Sequence, residues 1–240
     1  VVKYERVARD LQDKIASGKY RPNERLPIIP DLCEEYGVSK ITIKRAMDIL
    51  VTRGLVVKRR GSGTFVKNIE FEQDVQPLQD MSRTLAGFTG GYEDTGIEVT
   101  TLVQEFEVIE AGDEAAEHLR IDPHSFVYHI VRTRLADDVP QEIQYVRIPI
   151  ATLPGLTIRD ARGSIYSYVR QALGSRPYSA HRSIRAVMPT PKETEHLQID
   201  KDDPLLEVNQ TVYLENGQLL EWSICRHVGS RYTYYDINND

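Results

Sequence analysis

The sequence predicts an α+β protein in two parts: a small helical head ending in a hairpin, and a larger body built on a mostly antiparallel sheet with helices. Three observations carry this. Apolar residues recur at helical spacing through most of residues 1–68, whereas from about Leu78 to Asp240 long alternating runs take over. Charge divides at the same place. Residues 1–68 hold 15 Lys and Arg against 8 Asp and Glu, net +7, and the remainder holds 15 against 28, net −13. A length of 240 residues also suits two modest domains better than one. The expected boundaries are 1–68 for the head, 69–79 for a polar, mostly acidic linker with Pro77 near its end, and 80–240 for the body.

The head begins with Tyr4 to Ser17, where Tyr4, Val7, Ala8, Leu11 and Ile15 form one apolar stripe and Gly18 stops the helix. Arg21-Pro22-Asn23-Glu24 is a turn. Pro27 to Val66 reads as two helices and a hairpin. Gly37 lets the first of these helices end and the chain reverse, and Ser39 is a natural N-cap for the next. In that helix Ile43, Ala46, Met47 and Leu50 face inward, while Lys40, Lys44, Arg45 and Asp48 face outward beside Thr42. Gly54 ends it. Leu55-Val56-Val57 and Thr64-Phe65-Val66 are β-prone, with Gly61-Ser62-Gly63 as the hairpin tip and Arg59 and Arg60 beside it. A helix presenting cations at its start, followed by a basic hairpin, is the layout of a winged helix-turn-helix, whose second helix enters the major groove of DNA. The expected DNA contacts are Ser39, Lys40, Thr42, Lys44, Arg45, Arg59, Arg60, Gly61, Ser62 and Gly63. Charge alone would also fit a merely solvated basic face; the motif and the charge together point to a polyanion partner for the head only.

In the body, Val99 to Ile109, Ser125 to Leu135, Glu142 to Ile150, Ala180 to Val187, Leu205 to Leu214, Gln218 to Arg226 and Tyr232 to Ile237 read as strands. Asp137-Asp138 and Glu215-Asn216-Gly217 make hairpin turns. Short helices are expected after Gly112, from Ser164 to Leu173, and from Pro191. Glu117-His118-Leu119-Arg120-Ile121-Asp122 returns as Glu195-His196-Leu197-Gln198-Ile199-Asp200, each copy followed by a long hairpin, and Glu142 and Arg147 echo Glu221 and Arg226. Two copies imply two pseudo-symmetric halves sharing one sheet, with a ligand crevice between them. Arg132 and Arg134 stand two apart on a strand and so share a face. Either nearby carboxylates pair with them, or they clamp a phosphate or carboxylate. Ser164 is an N-cap whose helix start could also meet an anion, with Tyr166 close by.

The head resembles the DNA-binding domain of the GntR family of bacterial transcription regulators. The matching residues are Leu26-Pro27, Tyr36-Gly37-Val38-Ser39, Thr42, Ala46, Leu50, Gly54-Leu55 and Arg60 through Val66. Where the family usually has Ser-Glu-Arg after Leu-Pro, this chain has Ile28, Ile29 and Pro30, and Lys40 and Lys44 stand where Arg is common. Lysine grips phosphate as a point charge but lacks the fork that reads guanine. An altered or weakly read version of the family's operator is therefore expected. The body resembles the effector domain of the HutC branch of that family, the UTRA domain, whose fold is similar to chorismate lyase. Arg132 through Asp137, Gly163-Ser164-Ile165-Tyr166, the repeated helices, Glu221 with Ser223, and Arg231-Tyr232 carry this match. The resemblance implies a dimeric repressor on a palindromic double-stranded operator, in the cytoplasm, controlled by a small anionic effector. It places Arg132, Arg134, Ser164 and Tyr166 on a phosphate, Glu221, Gln144 and His227 on the polar end of the ligand, and Gly87-Phe88-Thr89 on a second loop. Gln144, His227 and Gly87 depart from the amino-sugar-phosphate pattern, which points to another phosphorylated sugar.

The chain opens on Val1, which leaves room for a few leading residues, and shows no signal-peptide pattern and no apolar run of the ~20 residues that span a bilayer. Cys33 and Cys225 are expected to be reduced and packed, with no metal-ligand spacing, and no cofactor or catalytic residue is assigned. An enzyme with an appended basic domain is the alternative, with His181 as its one isolated candidate base, expected to be packed in a strand. An architectural DNA binder with a vestigial pocket is the other.

Overall fold

The computed structural model describes residues 2–67, 87–92 and 95–234. The expected linker at 69–79 lies outside the described residues, as does the end of the expected last strand, 235–237. The described residues fall into two compact units, 2–67 and 87–234.

The first unit opens with α1 (Lys3–Ala16), whose Val7, Ala8, Leu11 and Ile15 are buried as their spacing requires. Helix α2 (Ile29–Tyr36) ends at Gly37, whose φ of 62° closes the helix in the left-handed region. Helix α3 (Lys40–Thr52) starts at Ser39, whose side chain accepts from the Thr42 N–H. Leu11, Leu26, Leu32, Ile43, Leu50 and Val56 join in one core. Tyr36 pins α2 to α1 by donating to Asp10 (2.5 Å) while accepting from Lys14 (2.9 Å). Strands β1 (Val56–Arg59) and β2 (Gly63–Val66) pair antiparallel as the wing. The segment before α2 adds a third edge: Asn23 and Leu26 N–H donate to Val66 and Thr64 carbonyls, and the Val66 N–H donates to Glu24. This makes the wing part of the core fold, a link that the short apolar runs did not reveal.

The second unit is a six-stranded antiparallel sheet among the described residues. It comprises β3 (Val99–Glu110), β4 (Phe126–Ala136), β5 (Val139–Pro149), β6 (Pro177–Val187), β7 (Leu205–Leu214) and β8 (Leu219–Val228), in the order β3-β4-β5-β8-β7-β6. The order is itself the internal repeat. One half runs β3, α5 (Gly112–Leu119), β4, β5; the other runs β6, α8 (Pro191–Leu197), β7, β8; and β5 pairs with β8 at the centre. The repeated hexapeptides match in backbone detail, since Arg120 and Gln198 both close their helices in the left-handed region, at φ 54° and 53°. Helices α6 (Ile158–Ala161) and α7 (Ile165–Leu173) pack over Ile130, Val146 and Val212, whereas α5 and α8 cover Val127, Trp222, Val131 and Ile143 on the other face. Helix α4 (Gly87–Gly91) is too short, and α6 too polar, to be found by periodicity.

The expected last strand, Tyr232 to Ile237, is not seen over its described residues. Gly229–Arg231 form a 3-10 turn and Tyr232 to Tyr234 join no strand. The alternation of tyrosines mimicked an edge strand, but Tyr232 stacks instead on His227, ring centroids 3.8 Å apart. His181 is a second correction. It lies on the edge strand β6, exposed rather than packed, with its ring 5.1 Å from that of Tyr213.

Candidate functional site

Strand pleating sends Arg132 and Arg134 of β4, Glu142 and Gln144 of β5, Gln210 of β7, and Glu221, Ser223, Cys225 and His227 of β8 to one sheet face. There α4 and the start of α7 roof a cavity. All ten residues expected to meet an effector line it: Gly87, Phe88, Thr89, Arg132, Arg134, Gln144, Ser164, Tyr166, Glu221 and His227. They come from both halves of the repeat, so the crevice lies where the pseudo-symmetry placed it.

The two guanidiniums are buried without a carboxylate partner within 4.0 Å among the described residues. Arg132 donates to the Gln144 side-chain oxygen (2.7 Å) and to the carbonyls of Ala161 (3.0 Å) and Gly163 (3.3 Å). Arg134 donates to the same Gly163 carbonyl (3.1 Å) and to the Thr89 hydroxyl (2.5 Å), and it lies 4.9 Å from the Phe88 ring centroid. Its Nε is buried with no partner. Burial, and then the like charge of Arg132, pull the Arg134 guanidinium down to about 9, and burial also lowers Arg132. Two buried guanidiniums whose direct partners are all neutral leave positive charge facing the cavity, which suits an anion. Ser164 caps α7, accepting from the Ser167 N–H (3.2 Å).

Across the cavity stand two buried carboxylates in different settings. Glu221 accepts from the Tyr166 hydroxyl (2.8 Å) and the Ser223 hydroxyl (3.2 Å), and burial outweighs these bonds and pushes its carboxyl up. Glu142 accepts from Gln144 and pairs with His227 Nδ1 (2.8 Å). Burial pulls Glu142 upward too, but His227, Arg134 and Arg132 outweigh it and hold its carboxyl below the ordinary range. Glu142, Gln210, Tyr92 and Tyr232 line the cavity without having been singled out as contacts. Glu142 was within reach, because it lies two residues before Gln144 and echoes Glu221. Tyr92 and Tyr232 enter from irregular segments that no strand period marks.

In the first unit, Ser39, Lys40, Lys44, Arg45, Arg59, Arg60, Gly61 and Ser62 are exposed, and Thr42 and Gly63 are half-buried. The Ser39 and Thr42 hydroxyls lie 3.0 Å apart in a mutual hydrogen bond. Asp48 pairs with Lys58, tying α3 to the wing, and the Arg59 guanidinium lies 5.1 Å from the Phe65 ring centroid. Gly63, at φ 116°, leaves room for the Arg25 side chain; a Cβ there would sit 2.6 Å from Arg25 Nε. Among the described residues no three His, Cys, Asp or Glu gather as a metal site, and no helix is long and apolar enough to cross a membrane. Cys33 and Cys225 are free thiols.

The family of bacterial regulatory proteins called gntR matches residues 3–66, and the UTRA domain family matches residues 94–233. The chain is 31% identical to the HTH-type transcriptional regulator GmuR of Bacillus subtilis, covering 98% of both chains. It is 29% identical to the mannosyl-D-glycerate transport/metabolism system repressor MngR of Escherichia coli, covering 92% of this chain and 89% of the relative. In structure it is similar to a possible transcriptional regulator, YydK, from Bacillus subtilis, with a TM-score of 0.80 over 100% of both chains at 23% identity.

Proposed function

Because the chain belongs to the GntR family of bacterial transcription regulators, in the HutC-like arrangement with a UTRA domain, we propose that its operator affinity is set by a phosphorylated sugar held in the sheet-face cavity. One observation supports this above others: Arg132 and Arg134 are buried side by side, bound directly to neutral acceptors, with Glu142 and Glu221 acting on them only from beyond ion-pair distance. Arg132, Arg134, Thr89 and the Ser164 end of α7 receive the phosphate, by charge-assisted bonds and by the free N–H groups of the helix start. To engage both guanidiniums the phosphate competes with the Gly163 carbonyl that they share, so binding pulls on the segment joining α6 to α7. Gln144, Glu221 and His227 meet the sugar hydroxyls, and Gly87 and Phe88 close the roof. The name of the Escherichia coli relative, a repressor of a mannosyl-D-glycerate transport/metabolism system, is in keeping with a sugar-derived effector.

The head supplies the other half of the mechanism. In this proposal a homodimer in the cytoplasm places two copies of α3 in successive major grooves of a palindromic operator, about one helical turn apart, with the wings on the flanking backbone. Ser39, Lys40, Thr42, Lys44, Arg45 and the wing residues Arg59 to Gly63 face the duplex. The effector acts as an allosteric ligand only by binding two arrangements of the heads with different free energy. A thermal-shift screen of phosphorylated sugars tests the cavity, because affinity raises stability by RT ln(1 + [L]/Kd). A gel-shift titration of operator duplex with and without the sugar tests the coupling. No thermal shift with any sugar phosphate removes the effector assignment, and no retarded duplex removes the regulator assignment.

A further inference from the structure

We infer that Ile41 is a specificity-determining residue of α3 and reads the C5-methyl group of thymine in the operator. The inference rests on the DNA-binding reading above and deepens it. Ile43, Ala46, Met47 and Leu50 mark the buried side of α3. Helical spacing puts Ile41 opposite them, on the side that also carries Arg45 and Asp48. Ile41 is 68% exposed, the highest value among the large exposed hydrophobics of the described residues. It stands in the first turn of the helix, the part of a recognition helix that meets base edges.

Its neighbours leave it the task. The Ser39 and Thr42 hydroxyls bond each other, and Ser39 also caps the helix. Asp48 is tied to Lys58 of the wing. Lys40 and Lys44 are exposed point charges suited to phosphate and lack the planar fork that reads guanine. On this side of α3, Arg45 and Ile41 remain to discriminate bases. A branched alkyl group has nothing to gain from a phosphate, while the thymine methyl is the one apolar feature that the bases present in the major groove. An isoleucine ringed by cations therefore fits a site whose backbone is held by charge and whose thymine is held by contact.

The test uses the full-length protein and a duplex selected by it from a randomised pool. Each thymine of a half-site is replaced in turn by deoxyuridine, which removes the methyl and leaves the Watson–Crick edge unchanged. Burial of one methyl is worth about fourfold in affinity. The wild type should lose about that factor at one or two positions per half-site and nothing elsewhere. Ile41→Ala should bind the thymine duplex more weakly by a similar factor and become indifferent to deoxyuridine at those positions. Ile41→Val should retain part of the sensitivity. Equal wild-type affinity for every deoxyuridine duplex overturns the inference, as does Ile41→Ala with undiminished sensitivity. Failure to select any duplex overturns the DNA-binding reading and the inference with it.

Discussion

Glu221 holds its place in the cavity at the expense of stability. Burial raises its carboxyl above the ordinary value of ~4.3, against the pull of Tyr166, Arg132 and Ser223. An acid whose folded pKa is raised stabilises nothing when ionised. Below the ordinary value both folded and unfolded chains are protonated and no cost arises; the cost grows as pH rises through the folded pKa. Glu221→Gln keeps an acceptor for Tyr166 and removes the charge. It should stabilise the protein more at pH 8 than at pH 5, as read from urea melts, while weakening the effector's thermal shift. Gly87 sets a second limit. Its φ is +74°, and a Cβ there would lie 3.1 Å from the Tyr166 ring. Gly87→Ala should therefore cost about 1–2 kcal/mol in that turn. By displacing Tyr166 it should also raise the effector Kd measured by calorimetry. The family resemblance places Gly87 on a ligand loop and marks it as a departure from the amino-sugar-phosphate pattern, but it does not announce a positive φ.

At the scale of elements, the starts of α2 and α3 in the DNA-binding unit differ. Ser39 caps α3, but α2 begins at Ile28, whose φ of −68° and ψ of 159° suit an N-cap though its side chain supplies no acceptor. Pro30 has no N–H, so a cap on α2 has the Asp31 N–H to satisfy. Ile28→Ser should stabilise the unit by about 1 kcal/mol. The gain should appear as slower hydrogen exchange at Asp31 in the intact protein, and an unchanged rate would show that the hydroxyl points elsewhere. The long elements were legible because their periods are long. Helices α1 and α3 show three or more apolar steps, and β3, β4, β7 and β8 are β-prone runs of ten to twelve residues. Helices α4 and α6 have five and four residues, too few to show a period. Tyr232 covers His227 rather than pairing in the sheet.

At the scale of the whole molecule, the cavity was legible through the repeat. Once two copies of a helix and hairpin are seen, β5 and β8 become the central pair, and residues on one face of both must converge. What the repeat could not supply was the neutral cradle: the Gly163 carbonyl between two guanidiniums is backbone, and no side-chain pattern announces it. The charge division makes the final prediction. With net +7 on residues 1–68 and −13 on the remainder, the head alone attracts a duplex and the body repels it. Counterion release then belongs to the head. Lys40 and Lys44 are exposed on α3, and each phosphate contact contributes about −0.9 to the slope of log K against log salt. Lys40→Ala with Lys44→Ala should flatten that slope by about 1.8, measured by fluorescence anisotropy between low and physiological salt. The thermal shift given by the effector should stay as it is, because neither lysine lines the cavity. An unchanged slope would place these two side chains off the phosphates and leave the wing arginines, Arg59 and Arg60, to hold the backbone.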